Sequence, residues 1–474
     1  MNTLWVQTLH LRHDITFGIG WVLALAVSAH VLLRKREVAS AMGWIGFAWF
    51  APITGTIAYL VLGVNRVQRR ARRLRRDSRR SSPDQGATTL PYNALDALER
   101  GNTRITGRPV LAGNAVQVFQ NGDEGYPPML AAIASAKCSV GLSSYIFNDD
   151  AWGGRFIDAL DQAHRRGVAV RVLIDGIGGG WVRSRAYHHL RRRGIPVARF
   201  LHSPLPWRMP FLNLRSHRKM LVLDGCTAFT GGLNIADQNV LAERPKSPVQ
   251  DTHFRFAGPV VAQLCEAFAQ DWSFASDEDL GGDAWFPDLD VETGGAPARI
   301  VDSGPDEDIE KVEFAMLQAV ACARASITIM TPYFLPDDRL VAALSLASMR
   351  GVEVDVVIPH RSDHRLVDWA THANSGPLLS EGVRIWRCPP PFRHSKIMTV
   401  DGEWSLIGSC NWDIRSFRLN FEVCVETYDA GLAAELTVFM QSCRGPALTG
   451  QELRSRGAAA QLRDAGARLL LPYL

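Results

Sequence analysis

An internal duplication constrains this chain more than any other feature. Tyr145-Ile-Phe opens a stretch that runs through an apolar-periodic helix to Arg166-Gly167, then to Val168-Ala-Val170-Arg-Val172-Leu-Ile-Asp175. Tyr333-Phe-Leu opens a second stretch that runs the same way to Arg350-Gly351, then to Val352-Glu-Val354-Asp-Val356-Val-Ile-Pro359. Each is a helix closed by glycine and followed by a strand with valine at alternate positions. A further helix-to-strand step follows in each half, through Gly194 and through Gly382. Alternating helix and strand implies α/β layers. A period of about 180 residues is that of a duplicated domain, not of a solenoid of short repeats. The halves are expected at residues 92–290 and 291–474.

Each half carries one copy of the same motif, Ser216-His-Arg-Lys-Met-Leu-Val-Leu-Asp-Gly225 and Arg393-His-Ser-Lys-Ile-Met-Thr-Val-Asp-Gly402. The apolar residues after each histidine argue for a strand. Residues i and i+2 share a face there, so His217 and Lys219 point the same way, as do His394 and Lys396. An imidazole beside a fixed ammonium suits an anionic substrate, and phosphate fits that pair. Asp224 and Asp401 each precede a glycine, and Asp-Gly between two apolar runs is a hairpin signal. His217, Lys219, Asp224, His394, Lys396 and Asp401 form the candidate catalytic set. Within it the aspartates are read as shaping the turns or supporting the site from behind.

A two-residue turn would return the chain with Gly232 opposite His217 and Ser409 opposite His394. Gly231 and Gly408 would flank them, small residues that leave room for a phosphate. Asn234 and Asn411 follow, placed to offer side-chain amides to phosphate oxygens. A histidine acting on phosphate takes an orienting carboxylate on its other nitrogen. The next strand-like segment of each half offers one, Asp251 in Asp-Thr-His-Phe-Arg-Phe and Glu422 in Asn-Phe-Glu-Val-Cys-Val. A single His-x-Lys carries no information; two matching copies in matching places of a duplication do.

Ahead of the duplication lies an apolar N-terminus. Residues 15–33 carry no formal charge apart from what His30 holds, long enough to cross a bilayer as a helix. After Arg34-Lys35-Arg36-Glu37 a second apolar run extends over 42–64, with Pro52 at its centre. One apolar run leading into another reads as two spans, not as a cleaved signal peptide. Nine arginines between Arg66 and Arg80, with Arg12 on the same side, outnumber the three cations of the loop. The positive-inside rule then puts the N-terminus and the large C-terminal part in the cytoplasm. The arginine run also suits anionic lipid headgroups better than nucleic acid, given its place directly after a span. Residues 1–76 are read as this membrane hairpin with its basic segment, and 77–91, rich in Ser, Pro and Gly, as a linker. The eight cysteines are scattered singly without zinc-ligand spacing, as in a reduced, cytosolic environment, so neither metal nor cofactor is expected.

The paired motifs resemble those of the phospholipase D superfamily. Within it, Thr230-Gly-Gly-Leu-Asn234 and Asn411-Trp-Asp-Ile-Arg-Ser-Phe-Arg-Leu-Asn-Phe-Glu422 resemble the bacterial cardiolipin synthases. The likeness includes Trp44, Pro52, Gly55 and Tyr59 of the N-terminus and covers nearly the whole chain. It implies two α/β lobes, each a mixed sheet flanked by helices, related by a pseudo-two-fold axis with one active site between them. It implies a multi-pass protein of the bacterial inner membrane, with phosphatidylglycerol as its partner and a metal-free ping-pong reaction. One histidine, His217 by motif order, takes the phosphatidyl group; His394 serves as acid and base. Transfer to water or another alcohol is the alternative chemistry, a nuclease-like phosphodiesterase a third, and a non-catalytic lipid scaffold the reading from another class.

The first half departs from the second at residues 201–214, where apolar, aromatic and proline residues suggest a loop that either meets the membrane or packs on the core. Gly176-Ile-Gly178-Gly-Gly180 lacks dinucleotide or Walker spacing and reads as a plain loop. His253, His360, His364 and His372 lack metal-ligand spacing, and packed or solvent-facing roles account for them.

Overall fold

The computed structural model describes residues 2–34, 38–63, 95–181, 183–202, 214–288, 293–305 and 308–469. The arginine run, the 77–91 linker and most of the 201–214 loop fall outside these. The N-terminal helices make one compact unit and the residues from 95 onward belong to another.

In the N-terminal unit, α1 runs from Asn2 to Arg34. Its stretch Ile15–Leu33 has a mean hydropathy of 1.9 over 19 residues, and among the described helices it alone is long and apolar enough to cross a membrane. The second apolar run is not one helix. It divides into α2 (Val38–Phe50), α3 (Pro52–Ala58) and a π-helical turn, Tyr59–Gly63. Pro52 excludes the α conformation from the residue before it, and Ala51 accordingly sits at φ −141°, ψ 74°. Both shorter helices pack on α1. The Trp49 indole donates to Ser28 Oγ at 3.0 Å, and His30 Nδ1 lies 2.7 Å from the Tyr59 hydroxyl.

The large unit is built from seven strands taken twice. The first set is β1 (Leu111–Gln120), β2 (Ser139–Ser144), β3 (Ala169–Asp175), β4 (Val197–Phe200), β5 (Met220–Leu223), β6 (Thr227–Gly231) and β7 (Thr252–Ala257). The second is β8 (Ala296–Ser303), β9 (Ser326–Met330), β10 (Glu353–Pro359), β11 (Arg384–Cys388), β12 (Ile397–Val400), β13 (Trp404–Gly408) and β14 (Asn420–Thr427). From the middle outward the first lobe runs β1-β7-β6-β5-β2-β3-β4, and the second runs β8-β14-β13-β12-β9-β10-β11. The β2-β3-β4 and β9-β10-β11 pairings are parallel and the remainder antiparallel. β1 pairs with β8, so one sheet passes through both lobes.

The local chemistry explains the elements. Asp150 and Asp337 cap the helices Ala151–Arg165 and Asp338–Met349 by accepting backbone N–H groups of their first turns. Gly167 and Gly351, at φ 86° and 89°, close them in a conformation that favours glycine. The parallel strands are covered on both faces, so the consecutive residues Val172, Leu173 and Ile174 are all buried, as are Val356 and Val357. Each lobe has its own apolar core. The boundary at residue 92 does not separate those cores. Leu98, on the helix Asp96–Thr106, lies in the core of the second lobe, although it precedes the first in the sequence.

That helix is tied down by a buried ion pair. Arg299 on β8 and Glu426 on β14 are both fully buried and joined by a close pair. Asn102 Nδ2 and Trp404 Nε1 complete the Glu426 carboxylate at 2.6 and 3.0 Å. Removing one partner strands a desolvated charge. Arg299→Met should therefore destabilise the large unit by about 3–5 kcal/mol; a thermal-unfolding midpoint unchanged from the parent protein would refute that role.

Candidate active site

The histidines do not stand on the hairpin strands themselves. Each sits just ahead of one, on a segment clamped by the opposite lobe. Arg215–Ser216 pairs in parallel with Asn420 and Phe421, and the His217 N–H donates to the Phe421 carbonyl at 2.9 Å. In the other half, Phe392–Arg393 pairs with Val249 and Gln250, and the His394 N–H donates to the Gln250 carbonyl at 2.7 Å. The residues following those carbonyls are Glu422 and Asp251.

The consequence is a crossed arrangement. His217 Nδ1 lies 3.0 Å from both carboxylate oxygens of Glu422, which belongs to the second lobe. His394 Nδ1 lies 2.7 Å from Asp251 Oδ2, which belongs to the first. With Nδ1 bound to a carboxylate, Nε2 is the nitrogen left for chemistry in each ring. The two rings face one another with centroids 6.3 Å apart and planes at 80°.

Two lysines and two carboxylates surround the rings. Lys219 and Lys396 are both buried. Burial first, and then the charge of Lys396, push the Lys219 ammonium down to about 7. Burial likewise pushes Lys396 down to about 8, against the pull of Asp251 and Glu422. Both histidines are lowered from the ordinary imidazole value, by burial and then by the lysines. They are therefore neutral in the empty site near pH 7. The carboxylates differ from one another. Burial raises both, but at Asp251 the charges of Lys396 and His394 outweigh it and bring the group to about 2. At Glu422 burial prevails and the group rises to about 7. Lys219 donates to the His217 carbonyl at 2.7 Å, and Lys396 donates to the His394 carbonyl. Lys396 Nζ is also 2.8 Å from His394 Nδ1. That nitrogen cannot both accept from the lysine and donate to Asp251, and the fully ionised Asp251 carboxylate makes donation the better state.

Small residues fit behind the carboxylates. A Cβ on Gly232 would meet Asp251 Oδ1 at 2.0 Å. Its counterpart Ser409 donates to Glu422 Oε2 at 2.5 Å. The space at Gly232 thus belongs to Asp251, and at Gly231 and Gly408, expected to leave room for a phosphate, a Cβ would meet the carbonyl oxygens of Thr252 and Val423. The expected facing of Gly232 with His217 is also off by one. The ladder pairs Met220 with Thr230 and Leu223 with Thr227, leaving a three-residue loop, Asp224-Gly225-Cys226. Ile397 with Ile407 and Val400 with Trp404 do the same in the second lobe, around Asp401-Gly402-Glu403. Asp224 and Asp401, at φ 51° and 54°, occupy the left-handed region within these loops.

Those aspartates stand at the far end of the hairpin strands from the histidines. The Asp224 carboxylate accepts the N–H groups of Lys137, Cys138 and Ser139 at 2.7–2.9 Å. Asp401 takes those of Arg324, Ala325 and Ser326, its closest contacts being 2.8–2.9 Å. Of the asparagines, Asn234 accepts from the Ile146 N–H through Oδ1 at 3.1 Å, and Asn411 Nδ2 contacts Ser416 Oγ at 3.3 Å. Tyr145 and Tyr333 also stand at the site, outside the candidate set. The Tyr145 ring meets the His217 ring at 5.0 Å and the Tyr333 ring meets the His394 ring at 6.3 Å. Their matching places at the head of each duplicated stretch were the available signal. Among the described residues no group of histidine, cysteine and acidic side chains is arranged to hold a metal. The Gly176–Gly180 segment is a loop, held by Asp175, which accepts the N–H groups of Ile177, Gly178 and Ser216.

Two neutral imidazoles facing each other beside two lysines can act on a phosphate ester, one as nucleophile and one as acid or base. The family model described as "Cardiolipin synthase, PLD-like domain" matches residues 129–272 and 316–444. "Cardiolipin synthase A" of Pseudomonas aeruginosa is 33% identical over 465 residues, covering 96% of this chain and 94% of that protein. "Major cardiolipin synthase ClsA" of Bacillus subtilis is 32% identical over 97% of this chain and 99% of that protein. The solved phosphatidylserine synthase of Haemophilus influenzae superposes with a TM-score of 0.60 over 80% of this chain and all of that one, at 15% identity, a likeness of fold. The chain belongs to the PLD-like cardiolipin synthase family.

Two outcomes follow from the geometry. Gly232→Ala drives a methyl into Asp251 and should lower turnover by on the order of 100-fold, whereas Ser409→Ala, which removes one hydrogen bond, should cost about tenfold or less. Initial rates of headgroup release compare the two, and equal losses would contradict the crowding. In the free enzyme the ammonium forms disappear as pH rises through the lysine values. The pH profile of kcat/KM should therefore fall on its alkaline side between about pH 7 and 8; a flat profile to pH 9 would exclude charged lysines from binding.

Proposed function

We propose that this protein is a cardiolipin synthase that moves a phosphatidyl group from one phosphatidylglycerol to another. The observation that carries the reading is the facing of His217 and His394 across the lobe interface, each oriented by a buried carboxylate. Family membership and the names of relatives covering almost the whole chain support the substrate.

The residues suggest the following steps. His217 Nε2 attacks phosphorus and the bond to the departing glycerol oxygen breaks, while His394, protonated once the anionic substrate offsets the lysine charges, gives that oxygen its proton. Lys219 and Lys396 balance the phosphoryl oxygens, and Glu422 balances the positive charge that develops on His217. His394, now neutral, takes a proton from the headgroup hydroxyl of a second phosphatidylglycerol. That oxygen attacks the phosphatidyl-histidine and displaces His217, giving cardiolipin. Asn234, with Oδ1 already engaged, offers its amide NH₂ to a phosphoryl oxygen.

The setting is proposed to be the bilayer. Phe17, Val22 and Leu32 of α1 and Phe50 of α2 are 62–93% exposed, an apolar surface of the kind that lipid covers. Two spans, with α2 and α3 forming the second, and the lobes on the cytoplasmic side agree with the arginine-rich segment after them.

The protein incubated with phosphatidylglycerol alone should yield cardiolipin and glycerol in equal amounts. Phosphatidic acid as the main product would make it a hydrolase, and no reaction would leave the scaffold. His217→Ala and His394→Ala should each reduce turnover by about 1,000-fold or more, as removal of a nucleophile or its base does. A phosphatidyl label trapped by acid quench should map to His217, and a label on His394 would reverse the two roles.

A further inference from the structure

The helix Ala458–Arg468 packs on the helix Arg365–Ser380 through one side, where Asp464 and Ala467 are buried. Its opposite side is apolar as well. Ala458, Leu462, Ala465 and Leu469 are all exposed, and their steps of four, three and four residues make one stripe along the helix. Leu462 and Leu469 are each 77% exposed. A helix on the surface of a globular lobe turns polar side chains outward. Nothing in the packing of this lobe accounts for an outward leucine stripe.

The charges beside the stripe are of one sign. From Arg454 to Leu469 the charged residues are Arg454, Arg456, Arg463, Asp464 and Arg468. The one acid, Asp464, is buried and is held by Arg456 and Arg463 at 2.9 and 2.7 Å. Arg454 and Arg468 are exposed and have no ion-pair partner among the described residues. By helical spacing Arg463 and Arg468 flank the stripe on its two sides. Leucines between arginines suit the boundary of a bilayer, where the leucines enter the acyl region and the arginine stems carry their heads to the phosphates. The excess of positive charge selects an anionic lipid surface over a neutral one. The stripe also lies close to the reacting groups. Ala467 belongs to a small apolar cluster with Leu335, Val367 and Ala370, and Tyr333 packs against that cluster while its ring meets His394. Lipid held against this helix therefore lies on the side of the site that Tyr333 borders.

We propose that the outer face of the helix Ala458–Arg468 docks on an anionic phospholipid surface, with Leu462 and Leu469 entering the acyl boundary and Arg454 and Arg468 meeting headgroup phosphates. This is a membrane contact made by the second lobe itself, additional to the N-terminal helices. It stands whether or not the transfer reaction is the one proposed above.

The test is photolabelling of the full-length protein in phosphatidylcholine vesicles with and without phosphatidylglycerol. Both kinds contain a phosphatidylcholine with a diazirine in its acyl chain, and lipid adducts are mapped by mass spectrometry. The control is the helix Ala151–Arg165 of the first lobe, whose exposed residues include Arg155, Asp158 and Gln162. With phosphatidylglycerol present, the peptide holding Leu462 and Leu469 should carry about fivefold more label than the control helix. That label should fall by about threefold when phosphatidylglycerol is left out. The double variant Leu462→Gln, Leu469→Gln, changed at two exposed positions, should lose the excess label and keep the parent's thermal-unfolding midpoint. Label no higher than on the control helix, label independent of phosphatidylglycerol, or label retained by the double variant would overturn the proposal. Cross-links joining this helix in two copies, in place of lipid adducts, would assign the face to a second copy of the chain and overturn it too.

Discussion

Everything at the centre of this molecule depends on a pair of short parallel contacts between the lobes, Arg215–Ser216 against Asn420–Phe421 and Phe392–Arg393 against Val249–Gln250. They hold each histidine backbone to a carbonyl of the other lobe. The next residue along, Glu422 or Asp251, then meets the imidazole. Neither lobe alone contains an oriented histidine. The continuous sheet through β1 and β8 fixes the lobes against each other, and the buried Arg299–Glu426 pair sits on β8 and its second-lobe neighbour β14.

The charge distribution is costly for the empty protein and useful with substrate present. Two ammoniums brought into one dry site repel each other and lose hydration, which is why both lysines fall toward neutrality. In the proposed reaction a phosphodiester entering between them relieves that repulsion and restores both charges. The unequal carboxylates extend the logic. Asp251 stays ionised beside His394, whereas Glu422 is raised to about 7 beside His217. The two halves of a duplication have thereby acquired different electrostatics for what began as one motif.

Much of this was legible in the residues. The helix-Gly-strand repeats appear where the valine periodicity and the glycines at 167 and 351 place them, because both signals are local. The Asp-Gly hairpins also form, but their register misses by one. The aspartates take the left-handed conformation and a third residue joins each loop, which a turn pair alone does not reveal. Apolar length overstated the second N-terminal run as a single helix, because Pro52 acts on its neighbour's backbone and not on hydropathy. Nothing local in the sequence shows that the space beside Gly232 is filled by Asp251.

The sequence by itself determined the duplication, the α/β layering, the family and the candidate groups for the chemistry, since these rest on residue types and on short spacings. Tertiary structure alone decided which carboxylate serves which histidine. His217 reaches Glu422 across 205 residues and His394 reaches Asp251 across 143. No local pattern encodes those separations. They are set by the way two similar lobes close a shared sheet and lend each other a strand end.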